Sequence, residues 1–245
     1  MNNKKIHQKL LETLAKRGIV GTIKRCGLFT RDFLRWYLDA SFDRRHSVDS
    51  SKKMSLSELK IDSTHLSEAT WYEPVPTLCF RQIMQELLID FEKYFFIDFG
   101  SGKGRALFLA ADHPFAKVIG VEFSPELHAV VLQNITTYRN PRQKCHNIES
   151  ICSNAIDYQL PPVKSVLFFC SPFKAPVFVK VINNIIISLK DYPRSIYIVF
   201  IGFIPESIQV LKNANLSYRE IKLWPDYVRW EKKIGLILHC GIRED

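Results

Sequence analysis

The chain has 245 residues, of which 47% are hydrophobic and 24% are charged, close to the values of globular proteins. This composition excludes a globally disordered chain, collagen and a coiled coil, and no apolar run is long enough to predict a transmembrane helix. The net charge of +9 is concentrated in residues 1–60, which hold 14 Lys and Arg against 6 Asp and Glu. Such an asymmetry favours RNA or an anionic membrane surface as a partner, although a solvated helical surface has the same composition.

The N-terminal part of the sequence differs from the rest. Residues 4–40 show helical patterns broken at glycines, and residues 41–70 are polar, serine-rich and without periodicity. We therefore predict a basic helical N-terminal extension and linker over residues 1–70 and a globular domain over residues 71–245. The N-terminus does not have the pattern of a secretory signal, and the six cysteines show no zinc-ligand spacing. We expect a reducing, cytoplasmic location and no metal centre.

From Thr77 onwards, short apolar runs alternate with helical patterns. This alternation predicts βαβ units, an α/β class and a mainly parallel sheet. The predicted helices are Thr77–Leu88, Arg105–Ala111, Glu126–Tyr138 and Val177–Leu189. The predicted strands are Tyr94–Phe99, Lys117–Glu122, Ile148–Cys152, Ser165–Cys170, Ile196–Ile201, Tyr218–Leu223 and Gly235–Cys240. No helical pattern separates the last two strands, so an antiparallel strand at the sheet edge is expected.

The segment Asp98-Phe99-Gly100-Ser101-Gly102-Lys103-Gly104 is the most informative, because it joins the first predicted strand to a helix. Glycines at this spacing let the backbone turn tightly and approach a ligand closely. A dinucleotide-binding loop reads G-x-G-x-x-G, whereas this loop reads G-x-G-x-G. Asp98 would be a poor neighbour for a pyrophosphate, but it suits the positively charged amino group of a methionine-like moiety.

A second acid, Glu122, closes the next predicted strand, 24 residues after Asp98. A carboxylate at this position can accept hydrogen bonds from both ribose hydroxyls of a nucleoside. The glycine loop and the two acids together predict a nucleoside-containing ligand at the carboxyl ends of the first two strands. The neighbouring cations Lys103 and Arg105 are interpreted as exposed residues at the start of the helix, and contacts to an anionic substrate are the alternative.

The Asp98–Gly104 loop, followed by Gly120-Val121-Glu122, resembles the class I S-adenosylmethionine-dependent methyltransferases, over roughly residues 70–240. The resemblance implies a Rossmann-like, mostly parallel seven-stranded sheet with an antiparallel edge strand, and S-adenosylmethionine as the cofactor. The cofactor-binding residues that it implies, from the methionine end to the adenine, are Asp98, Gly100, Ser101, Gly102, Gly104, Glu122 and Phe123.

The adenine contact that this superfamily has after the third strand is altered here. The stretch Ser153-Asn154-Ala155-Ile156-Asp157 has Asn154 where an acid is usual. Because an Asn oxygen can still accept a hydrogen bond from the adenine amino group, Asn154 and Ala155 are expected to complete the adenine pocket. Asp157 is the alternative contact.

The fourth predicted strand ends in Cys170-Ser171-Pro172-Phe173, where this superfamily faces the methyl acceptor. The stretch is partly similar to the [DN]-P-P-[YF] tetrapeptide of enzymes that methylate base amines. Tyr72-Glu73 lies where lysine methyltransferases of the disruptor-of-telomeric-silencing type have a Tyr-Gly-Glu element. Ser171, Phe173 and Tyr72 are therefore the expected catalytic residues, although a plain strand-to-helix turn and a loop contact before a helix would have the same sequences.

These resemblances imply transfer of a methyl group by direct displacement to a nucleophile. A protein lysine amine is the first candidate acceptor. RNA, bound through the basic N-terminus, and a small molecule are the alternatives. From other classes, a nucleotide-binding oxidoreductase of the NAD type and a binding protein without catalysis also stay open.

Overall fold

The protein folds around one twisted sheet. The computed structural model describes residues 37, 41–52, 54, 72–202, 218–222 and 234–240. The predicted basic extension lies almost entirely outside these residues. The compact unit that contains the sheet begins at Phe42, well before the predicted boundary at residue 71. Phe42 is 2% exposed, so residues 42–52 are an integral part of the domain and not the loose linker that the serine-rich sequence predicts.

The sheet has seven strands in the order β3-β2-β1-β4-β5-β7-β6. Strands β1 to β5 pair in parallel, as the alternation of strands and helices predicts. The last strand, β7, lies between β5 and β6 and is antiparallel to both, so the edge strand β6 pairs antiparallel with its neighbour. The strands are β1 (Phe95–Phe99), β2 (Lys117–Glu122), β3 (Ile148–Cys152), β4 (Ser165–Cys170), β5 (Ile196–Ile201), β6 (Tyr218–Lys222) and β7 (Ile234–Cys240).

Helices cover both faces of the sheet. They are α1 (Thr77–Glu86), α2 (Arg105–Ala110), α3 (Pro125–Thr137) and α4 (Ala175–Asp191). The Ser124 hydroxyl caps α3 by accepting a hydrogen bond from Leu127 N at 3.3 Å, and Pro125 occupies the first turn. In α4 the buried residues recur every three to four positions, at Val177, Val181 and Ile185, and they form one apolar stripe.

The central strands are apolar on both faces because both faces are covered. In β4, Phe168 packs in the cluster that contains α1 and α2, whereas Leu167 and Phe169 pack in the cluster that contains α4. A strand buried on both faces is a continuous apolar run without polar alternation, as in the sequence of β4. Within the described residues, no helix has the length and apolarity needed to cross a membrane.

Candidate active site

A cavity of about 960 Å³, a volume that includes open solvent at its mouth, lies at the carboxyl ends of β1, β2 and β4. This is the edge at which open α/β sheets bind ligands. The structure brings eleven of the predicted site residues together in its wall, namely Tyr72, Asp98, Gly100, Ser101, Gly102, Glu122, Phe123, Asn154, Ala155, Ser171 and Phe173. Gly104 is not among the lining residues; it precedes α2 and packs against Val131 of α3.

The glycine loop is shaped by close approaches of other parts of the chain. Gly100 and Gly102 have φ angles of 77° and 56°, a region that residues with a side chain rarely adopt. A Cβ at Gly100 would overlap the Pro172 ring, and a Cβ at Gly102 would overlap the Tyr72 ring. Glycine is therefore required here both by backbone conformation and by the absence of space.

Glu122 is hydrogen-bonded to the glycine loop. Its two carboxylate oxygens accept hydrogen bonds from Gly102 N at 2.8 Å and from Ser124 N at 2.9 Å. Burial raises the pKa of this carboxyl group, and the backbone N–H donors oppose that rise. Each oxygen has a second lone pair that can accept another donor, such as a ribose hydroxyl.

Asp98 is a buried carboxyl group in the cavity wall, with 3% of its surface exposed. Burial raises its pKa well above the ordinary value, and the charge of Glu122 raises it further. No hydrogen-bond donor to this carboxylate is found in the described part of the chain. A cation placed beside Asp98 would relieve both effects, so this end of the cavity is suited to a positively charged ligand group.

The far end of the cavity is formed after β3. Ser153, Asn154 and Ala155 line it, and Asp157 does not. The side-chain oxygen of Asn154 accepts a hydrogen bond from Ile156 N at 3.0 Å, which orients the amide. Of the two predicted adenine contacts, Asn154 is therefore the one in the cavity wall.

The turn after β4 forms the opposite wall and has an unusual backbone. Ser171 has a φ angle of 47°, and its hydroxyl donates a hydrogen bond to Ile201 O at 3.2 Å. A Cβ at the neighbouring Gly202 would collide with this hydroxyl. Phe173 is 7% exposed, and its ring centroid lies 6.1 Å from that of Phe169. The turn thus holds one polar and one aromatic residue at a defined place in the wall.

Tyr72 contributes its ring to the wall, while its hydroxyl is directed elsewhere. The hydroxyl donates a hydrogen bond to Ser50 O at 2.7 Å. Burial raises the pKa of this phenol, so it stays protonated. We therefore expect the ring that covers Gly102, and not the hydroxyl, to act on a ligand.

Residues 92–173 match the model of a protein family described as "Putative methyltransferase". This segment contains Asp98, the glycine loop, Glu122 and the turn after β4, which are the main walls of the cavity. The match agrees with the sheet order and with the two buried acids at the ends of β1 and β2. Over these residues, about a third of the chain, the protein is similar to a methyltransferase family, and the glycine loop and the two buried acids agree with that similarity. A nicotinamide-dependent oxidoreductase is not supported.

Solved structures resemble this chain at low sequence identity. A ribosomal protein L11 methylase from Lactobacillus delbrueckii subsp. bulgaricus is 15% identical over 65% of this chain and 76% of that chain, with a TM-score of 0.45. An rRNA methylase from Streptococcus thermophilus is 14% identical over 70% of this chain and 98% of that one, with a TM-score of 0.45. The N-methyltransferase NodS from Bradyrhizobium japonicum WM9 is 10% identical over 67% and 94%, with a TM-score of 0.48.

Because these TM-scores are all below 0.5, the assignment depends on the family match, the sheet order and the cavity. A search of curated proteins finds no match. The local similarity to the disruptor-of-telomeric-silencing type is not supported by these matches and stays a prediction.

The cavity wall fits S-adenosylmethionine. Asp98 suits the cationic methionine end, and Glu122 suits the ribose. The hydroxyl of Ser101 is buried and has no hydrogen-bond partner in the described part of the protein. A buried polar group without a partner is rare, so this hydroxyl is a candidate contact for a ligand. Ser101 is therefore suited to donate to the cofactor or accept from it.

The prediction that Lys103 and Arg105 are exposed is wrong. They are 2% and 1% exposed. The Lys103 ammonium lies 3.0 Å from the Asp49 carboxylate, and the Arg105 guanidinium lies 3.2 Å from that of Asp43. Sequence reasoning missed both acids because each precedes the cation that it pairs with by more than 50 positions, and no local pattern indicates such a pairing.

Proposed function

We propose that the protein is an S-adenosylmethionine-dependent methyltransferase that methylates an amine, and that the acceptor is a lysine side chain of a protein. The charge of the cavity wall carries this proposal. Three acids line the cavity, namely Glu73, Asp98 and Glu122. The single Lys or Arg among the lining residues is Arg105, which is paired with Asp43. An acidic cavity attracts a cationic side chain and disfavours an acceptor that carries phosphate.

The turn after β4 gives a second reason to propose an amine as the methyl acceptor. An amine must be neutral to attack a methyl group, and an apolar environment lowers the pKa of an amine. The aromatic ring of Phe173 and the ring of Pro172 provide such an environment beside the Ser171 hydroxyl. Glu73 and Tyr72 line the same cavity, so an acidic group and apolar surface are both available to a cationic side chain.

S-adenosylmethionine supplies a methyl group that is already activated on its sulfonium. The residues of this chain therefore need to bind and orient, since direct transfer requires the acceptor nitrogen in line with the methyl–sulfur bond. In this proposal Asp98, Ser101 and Glu122 fix the cofactor, and Ser171 and Phe173 align the acceptor.

The test is transfer of a radiolabelled methyl group from S-adenosylmethionine to the proteins and RNA of a cell lysate, followed by separate protease and nuclease digestion. Asp98→Ala is the inactive control, and Asp157→Asn is the matched control, since Asp157 lies near the adenine end without lining the cavity. We expect protease-sensitive label in ε-N-methyllysine with the wild type and Asp157→Asn, and none with Asp98→Ala. Label that only nuclease releases would contradict a lysine acceptor.

RNA is the second candidate, since a cationic surface favours it. Arg139 N donates to His46 O at 3.0 Å, which brings the exposed Arg44 and Arg45 close to the exposed Arg139 and Arg142. Arginine is well suited to phosphate contacts, and binding that depends on them weakens steeply with salt. Nuclease-sensitive label together with a steep loss of RNA binding between about 50 and 200 mM salt would establish this alternative.

We also propose that the reaction takes place in the cytoplasm. The five cysteines of the described residues are all thiols, and three of them are buried. Thiols without disulfides fit a reducing compartment. Fractionation of cells that express a tagged full-length chain tests this proposal, and recovery of the protein outside the cytoplasmic fraction would overturn it.

A further inference from the structure

A short segment in front of the sheet contacts the cofactor loop through buried polar groups. We call residues 42–51 the clasp. Its best-connected partner is Arg105, the first residue of α2. The Arg105 Nε donates to the Ser50 hydroxyl at 2.7 Å, and its Nη2 donates to the Ser51 hydroxyl at 2.7 Å and to Asp43 Oδ1 at 3.2 Å. The guanidinium carbon also lies 4.1 Å from the centroid of the Phe42 ring.

Asp43 organises the clasp itself. Its carboxylate accepts hydrogen bonds from Ser50 N at 2.8 Å, from the Ser50 hydroxyl at 2.6 Å and from Ser51 N at 2.6 Å. One carboxylate thus folds the clasp back on itself and pairs with Arg105. Since a charge as buried as Arg105 is costly without a partner, removing Asp43 disturbs both the clasp and the start of α2.

A second connection runs through Lys103, two residues earlier in the same loop. Its ammonium donates to both oxygens of Asp49, at 3.1 and 3.0 Å. Asn134 of α3 bridges the two segments, because its amide nitrogen donates to Asp49 O and to Lys103 O, both at 2.9 Å. The two cations of the glycine loop are therefore both held by acids of the clasp.

A third connection reaches the cavity wall. The Tyr72 hydroxyl donates to Ser50 O, and its ring lies against Gly102, whose N–H donates to Glu122. Gly102 is thus in contact with the Tyr72 ring, which the clasp holds, and is hydrogen-bonded to Glu122. Neither contact uses Asp98 or Ser101, and Glu122, the third group assigned to the cofactor, keeps a further lone pair on each oxygen for a ligand.

We propose that Asp43 and Asp49 are positioning residues for the cofactor. Through Arg105 and Lys103 they hold the glycine loop in its binding conformation, and through Ser50 they hold the Tyr72 ring over it. Binding of the cofactor and ordering of the clasp are then coupled, since a preorganised loop binds its ligand without a further ordering cost. The proposal concerns cofactor binding alone and does not depend on which acceptor is methylated.

The experiment measures binding of S-adenosylhomocysteine to the full chain by calorimetry, together with amide hydrogen exchange. The variants are Asp43→Asn, Asp49→Asn and Arg105→Gln. Arg194→Gln is the matched control, since Arg194 is also a buried arginine, and it donates to Val163 O, Ser188 O and Tyr192 O away from the cavity. We expect Asp43→Asn and Arg105→Gln to weaken binding about tenfold or more, a change of about 1.4 kcal/mol, and Asp49→Asn to weaken it less.

Hydrogen exchange separates positioning from general stabilisation. In the wild type, S-adenosylhomocysteine should slow exchange of the Ser50 and Ser51 amides, and in Asp43→Asn this slowing should be lost. Asp43→Glu, which keeps the charge, should recover part of the affinity. Wild-type affinity in folded Asp43→Asn would overturn the proposal. An equal loss of affinity in Arg194→Gln would also overturn it, because the effect would then follow from lower stability. If Arg105→Gln does not fold, Asp43→Asn and Ser51→Ala decide the question.

Discussion

The two ends of the cavity are built differently. At the cofactor end, Glu122 and the glycine loop are joined by hydrogen bonds between a carboxylate and backbone N–H groups. At the acceptor end, the Ser171 hydroxyl donates to Ile201 O, and Phe173 packs in an aromatic cluster. The proposed cofactor end therefore combines a hydrogen-bonded carboxylate, Glu122, with the buried carboxyl group of Asp98, whereas the proposed acceptor end presents shape and apolar surface.

This difference explains why one end restricts the class of ligand more narrowly than the other. Buried charges and required glycines restrict the ligand to a narrow chemical class, since few ligands bring a cation and a ribose to the right places. An apolar wall with one hydroxyl accepts many ligands of similar width. Substitutions at each end should therefore separate cofactor binding from acceptor choice.

The largest effect is expected at Asp98. Asp98→Asn removes the negative charge that faces the cationic end of the cofactor, so affinity for S-adenosylmethionine should fall by about 3 kcal/mol or more, at least about 100-fold. Calorimetry measures the loss, with Asp157→Asn as the control. Retained affinity would contradict the assignment of the methionine end.

The same variant should stabilise the cofactor-free protein. Because the pKa of Asp98 is raised on folding, the folded state holds a proton that the unfolded state has lost, and stability falls as pH rises from the unfolded pKa through the folded one. Asn has no such titration. Thermal unfolding at a series of pH values should show Asp98→Asn gaining on the wild type as pH rises; a constant difference between the two would argue against a raised pKa.

At Glu122 the expected effect is smaller, since backbone donors satisfy part of the carboxylate. Glu122→Ala should weaken cofactor binding by at least about 1.5 kcal/mol, the scale of a hydrogen bond to a charged group. Part of the loss comes from release of Gly102 N. Calorimetry at constant pH tests this, and unchanged affinity would remove Glu122 from the cofactor site.

At the acceptor end, Phe173→Leu should lower kcat/KM for the methyl acceptor about tenfold and leave cofactor affinity unchanged, since kcat/KM reports the loss of transition-state alignment. Phe178→Leu is the matched control, because Phe178 lies in the same aromatic cluster without lining the cavity. Equal losses in the two variants would show that packing, and not acceptor contact, is responsible.

The smallest effect on transfer is expected at the Tyr72 hydroxyl. Tyr72→Phe removes the hydrogen bond to Ser50 O and should cost about 1 kcal/mol of stability. Because the ring stays in place, methyl transfer should change only a few-fold. A loss of several orders of magnitude in kcat at saturating cofactor would instead assign the hydroxyl a direct part in the reaction.

Features of the site that are local in sequence were predictable, whereas features built by distant segments were not. The β1–loop–α2 unit and Glu122 were predictable because a strand, its turn and the next strand end are close in sequence, and glycine spacing is a local property. The helix bounds at α1 and α4 differed from the prediction by two residues or fewer at each end. That Asn154 lines the cavity and Asp157 does not needed the structure, because both follow β3 within a few residues.

Local sequence patterns were enough to predict the alternation of strands and helices, the glycine loop and the two acids in β1 and β2 beside it. Only the tertiary structure decided that Lys103 and Arg105 are buried, that Asp43 and Asp49 hold them, and that β7 lies between β5 and β6. The physical reason is the separation along the chain over which each kind of interaction acts. Backbone conformation and apolar periodicity act over a few residues, whereas ion pairs and strand order depend on which distant segments the fold brings into contact.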